Sequence, residues 1–239
     1  MAHVPRLYHP GRIVPGPLPL EANAWRHLGN VLRMRAGEEF LVFGGDGSEW
    51  RARIEAVSGK ASASATVLEL TRQEHLPALD VELYCALVRA THFDLVVEKA
   101  TELGVDVIHP MTTAYTSRGD GPSSNRIERW ERIAVEASEQ CGRLRVPVIA
   151  AVTTMESFLD HLRAPFVVTD ATGIGWGAGS KLLPDSGKLA VLVGPEGGWS
   201  EAELARARSS GGIVLRLGDN ILRTETAAIA ALTLIRGRA

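Results

Sequence analysis

From residue 81 onward, apolar runs alternate with amphipathic segments, and this alternation restricts the possible folds more than any other feature of the sequence. Residues 81–88 form an almost uninterrupted apolar run, typical of a strand buried on both faces of a parallel sheet. Apolar side chains then recur at helical spacing over residues 91–103. The same patterns predict strands at 105–109, 146–152, 165–169, 189–193 and 213–217, and helices at 125–140, 155–162, 200–209 and 224–235. This alternation predicts an α/β fold built on a parallel sheet.

The first part of the chain has a different pattern, which predicts a separate domain. Short apolar runs at 39–43, 50–57 and 65–70 are separated by turn-rich stretches at 44–48 and 58–60. Such spacing is typical of a small β-barrel or sandwich, and a short helix is expected at 23–32. We therefore predict a β-rich domain at residues 1–72, a linker at 73–80 and an α/β domain at 81–239.

The charge balance and the cysteines exclude several classes of protein. Lysine and arginine number 26 against 28 aspartate and glutamate, so a polyanionic partner would have to be met by a local basic patch. Cys85 and Cys141 lie far apart with no C-x-x-C spacing, which excludes a zinc ribbon and a disulfide scaffold. The histidines match no metal-ligand spacing, so no metal is expected. Without a secretory signal or a membrane-spanning apolar run, the expectation is a soluble cytoplasmic protein.

The strongest local signal for a ligand site is the run LAVLVGPEGGWS at residues 189–200. An apolar strand here ends in a Gly-rich turn that opens a helix, and the turn presents free N–H groups at the sheet edge where ligands bind in α/β folds. Ser200 and Glu203 have the spacing of a capping box. The run is not a P-loop, because no Gly-Lys-Ser/Thr follows. A tight strand-to-helix turn without a ligand is the alternative.

A second strand, loop and helix follow in the run LRLGDNILRTET at residues 215–226. Its loop carries Ile221 and Leu222 between polar residues, and such apolar side chains are favourable where they cover an apolar surface, for example an adenine ring. The alternatives are a buried connection and, for Arg223 and Glu225, a helix cap with a surface ion pair.

Together these loops resemble the signature of the SPOUT methyltransferases and, more closely, that of the small-subunit ribosomal RNA uracil-N3 methyltransferase family. The resemblance covers nearly the whole chain, with the motifs in the family's order. Besides the two loops, the motifs are PRLYH at 5–9, RHLGNVLRM at 26–34, EKATELGV at 98–105 and EASEQCGRLRVP at 136–147. Several motifs in one order are more specific than any single one.

The resemblance implies a PUA-like N-terminal domain, an α/β domain with a deep C-terminal trefoil knot, and a homodimer. It also implies S-adenosylmethionine bound in a bent conformation by loops near 169–172, 193–198 and 215–226. The cofactor-binding residues that it implies are Thr169, Val193, Gly194, Glu196, Gly198, Leu215, Leu217, Gly218, Ile221, Leu222, Arg223 and Thr226.

The implied reaction is attack of a uridine N3 on the activated methyl group, with 16S ribosomal RNA of the small subunit as substrate. The imide proton must be lost, so a base or a stabilising cation is useful. We expect Arg223 to stabilise the deprotonated uracil or the target phosphate, and a carboxylate of Glu196 or Glu225 to favour the positive sulfonium. The alternative is that Glu196 and Arg223 only brace the knot.

RNA recognition is expected in the N-terminal domain, together with part of the catalytic surface. Guanidinium groups suit phosphates and bases, and a tyrosine ring offers a stacking face. The candidates are Arg6, Tyr8, Arg26, Arg33 and Arg35.

Two stretches depart from the family's pattern. Ala114 and Tyr115 stand where Glu and Arg are usual, and Arg118 follows three residues later. His92 replaces a usual basic residue ahead of the EKATELGV motif. These changes affect the expected RNA contacts or local bracing and leave the cofactor loops intact.

The sequence therefore predicts an S-adenosylmethionine-dependent enzyme that methylates uridine N3 in 16S ribosomal RNA. Two alternatives remain open: another SPOUT activity, such as ribose 2′-O methylation of transfer RNA, and a non-catalytic RNA-binding assembly factor. The PUA-like pattern and the LRTET run argue against the first alternative, and the intact cofactor loops argue against the second.

Overall fold

The computed structural model describes residues 4–58, 62–117, 124–161 and 164–238. Part of the turn predicted at 58–60, the predicted helix end at Leu162 and the side chain of Arg118 lie outside these residues. The chain divides into two units. The first comprises Met1–Leu76 with Ser138–Val146, and the second comprises Pro77–Ala137 with Pro147–Ala239. The domain limits predicted at 72 and 81 are kept as a prediction.

A five-stranded sheet forms the first unit, in the order β1-β3-β4-β5-β2. Its strands are β1 Arg6–Tyr8, β2 Gly16–Leu20, β3 Glu39–Phe43, β4 Ser48–Ser58 and β5 Ser62–Gln73. β1 pairs with β3 in parallel, and the other pairs are antiparallel. The three strands predicted here are confirmed, whereas β1 and β2 were not predicted. β2 carries Pro17 and Pro19, which weaken a strand pattern, and it tolerates them because it lies at the sheet edge.

The helix expected at 23–32 is present in a modified form. Helix α1, Ala22–Trp25, continues into a π-helical segment, Arg26–Val31. Trp25 and Leu28 from this segment are buried with strand residues such as Phe40 and Ile54. Closure of the sheet into a barrel stays a prediction.

The segment Ser138–Val146 joins the first unit through specific hydrogen bonds. The backbone N–H of Tyr8 donates to Oε1 of Glu139 at 2.8 Å. The carbonyl of Gly142 accepts from Nη2 of Arg6 at 3.2 Å and also from Nη2 of Arg72. The sequence does not indicate this grouping, because the hydrogen-bonded partners are far apart along the chain.

A seven-stranded, wholly parallel sheet forms the second unit. Its order is β12-β10-β11-β6-β7-β8, and β9 also pairs with β7. The strands are β6 Leu79–Ala86, β7 Val107–Thr112, β8 Val148–Ile149, β9 Thr153–Thr154, β10 Phe166–Gly175, β11 Gly187–Val193 and β12 Ile213–Arg216. The predicted α/β fold with a parallel sheet is confirmed.

The five helices predicted in this part of the chain are present as α2 Ala90–Glu102, α3 Ser124–Cys141, α4 Met155–Asp160, α6 Glu201–Ser209 and α7 Thr224–Arg236. The short helix α5, Trp176–Gly179, and the 3-10 helix at Ser180–Leu182 were not predicted. α7 buries Ala228, Ala231, Leu232 and Ile235, one stripe at helical spacing, and packs against α2, β6 and β11.

Two strands differ from their predicted extents. Of the strand expected at 146–152, only Val148–Ile149 (β8) is present, and the separate strand β9, Thr153–Thr154, begins after the predicted end. β10 continues to Gly175, and its pairing with β12 is interrupted between Thr169 and Ile174. Within that bulge, Oδ1 of Asp170 accepts hydrogen bonds from the backbone N–H and the hydroxyl of Thr172. These polar residues gave no strand signal.

Among the residues that the structure describes, no helix combines the length and the apolar character needed to cross a membrane.

Candidate functional site

A cavity of about 300 Å3 lies where β11 and β12 end and where β10 bulges after Thr169. The three strands are parallel neighbours, so this bulge and the loops that follow β11 and β12 meet at one edge of the sheet although they are far apart in sequence. The cavity is lined by Thr169, Asp170, Ala171, Val193, Gly194, Pro195, Glu196, Gly197, Gly198, Trp199, Arg216, Leu217, Gly218, Asn220, Ile221, Leu222, Thr224 and Ala227.

The Gly-rich loop after β11 is shaped by the buried Trp199. The indole N–H of Trp199 donates to the carbonyl oxygen of Thr169 at 3.0 Å and so connects this loop to the end of β10. An added Cβ at Gly194 would lie 3.0 Å from two ring atoms of Trp199, so a side chain there would have to displace the indole. Gly198 has a φ of +72°, which favours glycine, and its N–H closes a turn on the carbonyl of Pro195 at 2.9 Å. The loop therefore has little freedom to move.

The predicted capping box at the start of α6 is confirmed. The hydroxyl of Ser200 accepts from the backbone N–H of Glu203 at 3.2 Å, and Oε2 of Glu203 accepts from the backbone N–H of Ser200 at 2.8 Å. This reciprocal pair fixes the point at which the Gly-rich loop becomes a helix.

The loop between β12 and α7 supplies the apolar part of the lining. Ile221 is 91% exposed, which is unfavourable for a large apolar side chain unless a ligand covers it. Thr224 is buried and donates its hydroxyl hydrogen to the carbonyl of Gly194 at 2.9 Å, so this loop is held against the Gly-rich loop. Arg216 forms an ion pair with Asp219 at 2.7 Å.

Nine of the twelve predicted cofactor residues line the cavity. They are Thr169, Val193, Gly194, Glu196, Gly198, Leu217, Gly218, Ile221 and Leu222. Leu215, Arg223 and Thr226 are not part of the lining. Leu215 is buried in β12, and Arg223 and Thr226 are exposed at the beginning of α7.

The three predicted catalytic residues occupy different environments. Glu196 is exposed on the Gly-rich loop and lines the cavity. Arg223 is the N-cap residue of α7, directly after the cavity residue Leu222, and its side chain is exposed. Glu225 is buried outside the lining, with Oε2 at 3.9 Å from Nδ1 of His92. The structure therefore brings Glu196 into the cavity, leaves Arg223 outside the lining although it follows Leu222 in sequence, and directs Glu225 to α2.

Burial raises the pKa of the Cys85 thiol, and the nearby carboxylates of Glu225 and Glu196 raise that pKa further. Cys85 is therefore held as a neutral thiol under ordinary conditions and has no thiolate for nucleophilic chemistry.

Several lining residues were not predicted, although most lie within the quoted motifs. They are Asp170, Ala171, Pro195, Gly197, Trp199, Arg216, Asn220, Thr224 and Ala227. Asp170 had a usable signal, since it follows a predicted strand at the carboxyl edge of the sheet. Nothing in the local sequence indicates that the indole of Trp199 turns inward to Thr169.

The predicted RNA-binding residues of the first unit fall into two groups. Arg6 forms a largely buried ion pair with Glu49, and the ring of Tyr8 lies 5.5 Å from that of Phe43. Arg26, Arg33 and Arg35 are exposed. Arg33 has a φ of 59°, an unusual conformation for a residue other than glycine, at the end of the π-helical segment.

Within the described ranges, no group of three or more His, Cys, Asp or Glu side chains has the geometry to hold a metal ion.

Comparisons with known proteins agree with this geometry. Residues 74–236 match the family model for an RNA methyltransferase domain, and residues 20–68 match that for an RNA methyltransferase PUA domain. A ribosomal RNA small subunit methyltransferase E from Synechocystis is 32% identical over 95% of this chain and 75% of its own length. The protein of the same name from Bacillus subtilis is 30% identical over 87% of this chain and 85% of its own length.

A solved structure has the same fold over nearly the whole chain. The ribosomal RNA small subunit methyltransferase E of Neisseria gonorrhoeae, bound to S-adenosyl methionine, aligns with a TM-score of 0.87 and 30% identity, covering 99% of this chain and 98% of its own. The combination of an RNA methyltransferase domain with a PUA domain therefore agrees with the fold of a solved relative. The chain belongs to the RNA methyltransferase family that includes ribosomal RNA small subunit methyltransferase E.

Proposed function

We propose that this protein transfers the methyl group of S-adenosylmethionine to N3 of a uridine in 16S ribosomal RNA of the small subunit. The observation that carries the proposal is the cavity formed by three strand-end loops, in a chain whose relatives are small-subunit ribosomal RNA methyltransferases. A solved relative with the same fold binds the same cofactor.

The lining residues fit this cofactor. Gly218 lets the ligand approach the backbone closely, since no protein atom lies within 4 Å of an added Cβ there. At Gly194 the absence of a side chain makes room for the indole of Trp199 instead. Leu217, Ile221 and Leu222 offer the apolar surface that an adenine ring requires, which accounts for the exposure of Ile221. Backbone N–H and carbonyl groups of the same loops provide hydrogen bonds for the adenosine.

When bound, the cofactor supplies an electrophilic methyl group on a positive sulfonium. The uridine N3 forms the new N–C bond, its proton passes to water or a base, and the sulfur keeps the electron pair of the broken S–C bond. Glu196, exposed in the lining, provides a negative charge for the sulfonium. Arg223, which follows the cavity residue Leu222 in sequence, stabilises the negative charge that develops on the uracil when N3 loses its proton.

The knot, the homodimer and the cytoplasmic location belong to the same proposal. Support for threading comes from α7, which follows the edge strand β12 and yet packs on α2, β6 and β11 in the middle of the sheet. Ribosomal RNA as substrate supports the location. Family membership supports the dimer.

The test is methyl transfer from labelled S-adenosylmethionine to unmodified small ribosomal subunits and, in parallel, to naked ribosomal RNA. We expect the label in 3-methyluridine, identified by mass spectrometry of the nucleosides. Label in another nucleoside would disprove the uridine-N3 assignment. Cofactor binding without label on either substrate would disprove ribosomal RNA as the substrate. Absence of cofactor binding would favour a non-catalytic RNA-binding assembly factor.

A further inference from the structure

Tyr115 is an aromatic side chain with no structural reason to be exposed. Every Phe, Trp and Tyr of the chain lies within the described residues, and Tyr115 alone among them is exposed, at 54%. A large apolar ring in water is unfavourable unless it serves a contact. Tyr115 is also one of the two positions at which this chain departs from the family's usual Glu-Arg pair.

The position of Tyr115 is fixed by a hydrogen-bonded turn. Ala114 and Tyr115 are the central residues of the turn Thr113–Thr116, in which the N–H of Thr116 donates to the carbonyl of Thr113 at 3.2 Å. The hydroxyl of Thr116 also accepts from the N–H of Thr113 at 2.8 Å. The turn is therefore closed twice and holds its two central side chains in place.

A second anchor connects this turn to the Gly-rich loop. The N–H of Ala114 donates to Oε1 of Glu203 at 2.9 Å, while Oε2 of the same carboxylate caps α6 at Ser200. Glu203 therefore holds the Tyr115 turn and the end of the cofactor loop at the same time. The two segments are positioned relative to one another by one side chain.

Tyr115 lies directly on the cavity loop. An added Cβ at Gly197 would be 3.0 Å from Cβ and 3.5 Å from Cγ of Tyr115, so the base of the tyrosine side chain packs on the glycine. Gly197 lines the cavity, so the base of the Tyr115 side chain adjoins the lining of the proposed cofactor site although Tyr115 itself is not part of that lining. The exposed part of the ring is free for a flat partner.

We propose that Tyr115 stacks on a base of the RNA substrate at the mouth of the cofactor cavity and thereby positions the nucleotide for methyl transfer. This inference rests on the proposed function. Proteins that bind unpaired nucleotides use exposed aromatic rings in this way, because every base has a π-face and the ring loses little conformational freedom. A rigid turn makes the stacking geometry reproducible, as alignment of the attacking atom requires.

The experiment compares Tyr115→Phe, Tyr115→Leu and Tyr115→Ala. Phenylalanine keeps the ring. Leucine keeps the apolar packing on Gly197 but has no π-face, so it is the matched control for a purely structural role. We expect Tyr115→Leu and Tyr115→Ala to lower kcat/KM on small ribosomal subunits by about tenfold or more, whereas Tyr115→Phe stays within about twofold of the unmodified protein. Cofactor affinity, measured by calorimetry, stays unchanged in all three.

The second readout is the affinity for a short, single-stranded, uridine-containing RNA in the presence of S-adenosylhomocysteine, measured by fluorescence anisotropy. We expect the RNA affinity of Tyr115→Phe to be close to that of the unmodified protein, and the affinities of Tyr115→Leu and Tyr115→Ala to be lower. Because this readout needs no turnover, it tests the stacking even if the unmodified protein makes no 3-methyluridine, an outcome that would disprove the proposed function alone.

Three results would overturn the stacking role. Full activity and RNA affinity of Tyr115→Leu would show that only the packing on Gly197 matters. Loss in Tyr115→Phe equal to that in Tyr115→Leu would show that the hydroxyl group acts. A lower molecular mass of Tyr115→Leu and Tyr115→Ala in analytical ultracentrifugation would show that the ring contacts a second copy of the chain instead of RNA.

Discussion

The strands of the first sheet and the carboxyl edge of the second sheet place arginine in different environments. In the first unit, Arg53 lies opposite Glu39 on the neighbouring strand and pairs with it at 2.7 Å, and Arg51 lies opposite Glu69 at 3.4 Å. Arg6 pairs with the buried Glu49. At the carboxyl edge of the parallel sheet, Arg223 is exposed, and the ion pairs found among the described residues do not include it.

The physical reason is the pattern of neighbours that each sheet creates. Antiparallel pairing sets side chains of adjacent strands directly opposite each other, so opposite charges find partners within the sheet. The carboxyl edge of a parallel sheet collects loops whose charges have no such register, so a charge there either pairs within its own loop, as Arg216 does with Asp219, or stays available to a ligand. Arginines paired across strands stabilise the fold, whereas the catalytic role proposed for Arg223 requires a guanidinium without such a partner. Two of the four predictions test the arginines directly.

The largest contrast is expected between Arg223→Ala and Arg6→Ala. Without Arg223, the developing charge on the uracil loses its stabilising cation, so kcat should fall by about 100-fold or more. Because Arg223 does not line the cavity, S-adenosylmethionine affinity should stay within about twofold. Methyl-transfer kinetics and calorimetry measure the two quantities. Equal loss of both, or of neither, would contradict the assignment.

Arg6→Ala should instead leave Glu49 buried without its closest cation, with Arg72 at 3.9 Å as the remaining one. We expect the free energy of unfolding to fall by about 3 kcal/mol, with kcat of the folded protein unchanged. Urea denaturation measures the stability, and Arg53→Ala, which breaks an exposed ion pair, is the control with a much smaller loss. If Arg6→Ala lowered kcat without changing the free energy of unfolding, Arg6 would act in the reaction as Arg223 is proposed to do, and the contrast between them would be wrong.

The next contrast compares two tryptophans. Trp199→Phe removes the buried donor to the carbonyl of Thr169 and leaves that acceptor unsatisfied, so we expect a loss of about 2 kcal/mol in stability and about tenfold weaker cofactor binding. Trp50→Phe removes a half-buried hydrogen bond to the hydroxyl of Ser48 at 3.1 Å and should leave cofactor binding unchanged. Urea denaturation measures the stability of both variants, and calorimetry measures their cofactor affinity. Unchanged cofactor affinity in Trp199→Phe would show that the indole does not organise the site.

A smaller effect is expected from the exposed arginines of the first unit. Replacing Arg26, Arg33 and Arg35 together by Gln should weaken RNA binding severalfold and reduce the steepness of its salt dependence, because each lost phosphate contact lowers the slope by about 0.7. The control replaces Arg51 and Arg53, which are paired with carboxylates. Anisotropy at several salt concentrations measures both. Identical slopes for the two sets would place the RNA surface elsewhere.

The smallest effect concerns His109 in β7. Burial lowers the pKa of His109, with Glu82 at 3.3 Å opposing that shift. As the pH falls below the ordinary histidine pKa, His109 is protonated in the unfolded chain but stays neutral in the folded chain. Protonation therefore favours the unfolded state, so the free energy of unfolding is unaffected by His109 above the ordinary histidine pKa and decreases as the pH falls below it. Urea midpoints at about pH 8 and about pH 5 should differ less in His109→Gln than in the unmodified protein. An equal difference would assign the pH dependence to other groups.

Much of the α/β unit could be predicted because its elements carry strong local patterns. β11 and α7 were predicted within two residues of their observed ends, and the capping box of Ser200 and Glu203 was predicted from spacing alone. β10 was predicted too short, because Asp170 and Thr172 form a hydrogen-bonded bulge within the strand. β2 was missed because its prolines mask a strand that an edge position permits.

In the candidate site, too, residues of single loops were predicted, whereas a contact between distant segments was not. Gly194, Gly198, Ile221 and Leu222 were predicted because their loops follow predicted strands and match the motifs of the methyltransferase family, and they line the cavity. The contact of Trp199 with Thr169 was not predictable, because it joins residues from two loops whose proximity follows from the strand order.

Periodicity, capping and turn chemistry are properties of a few consecutive residues, and they determined where the helices, the strands and the Gly-rich loop lie along this chain. The order of the strands, the grouping of Ser138–Val146 with the first sheet, the burial of Glu225 against His92 and the place of Tyr115 on Gly197 were decided by the tertiary structure. Each of these joins segments distant in sequence, and only the free energy of packing the whole core selects among the possible neighbours.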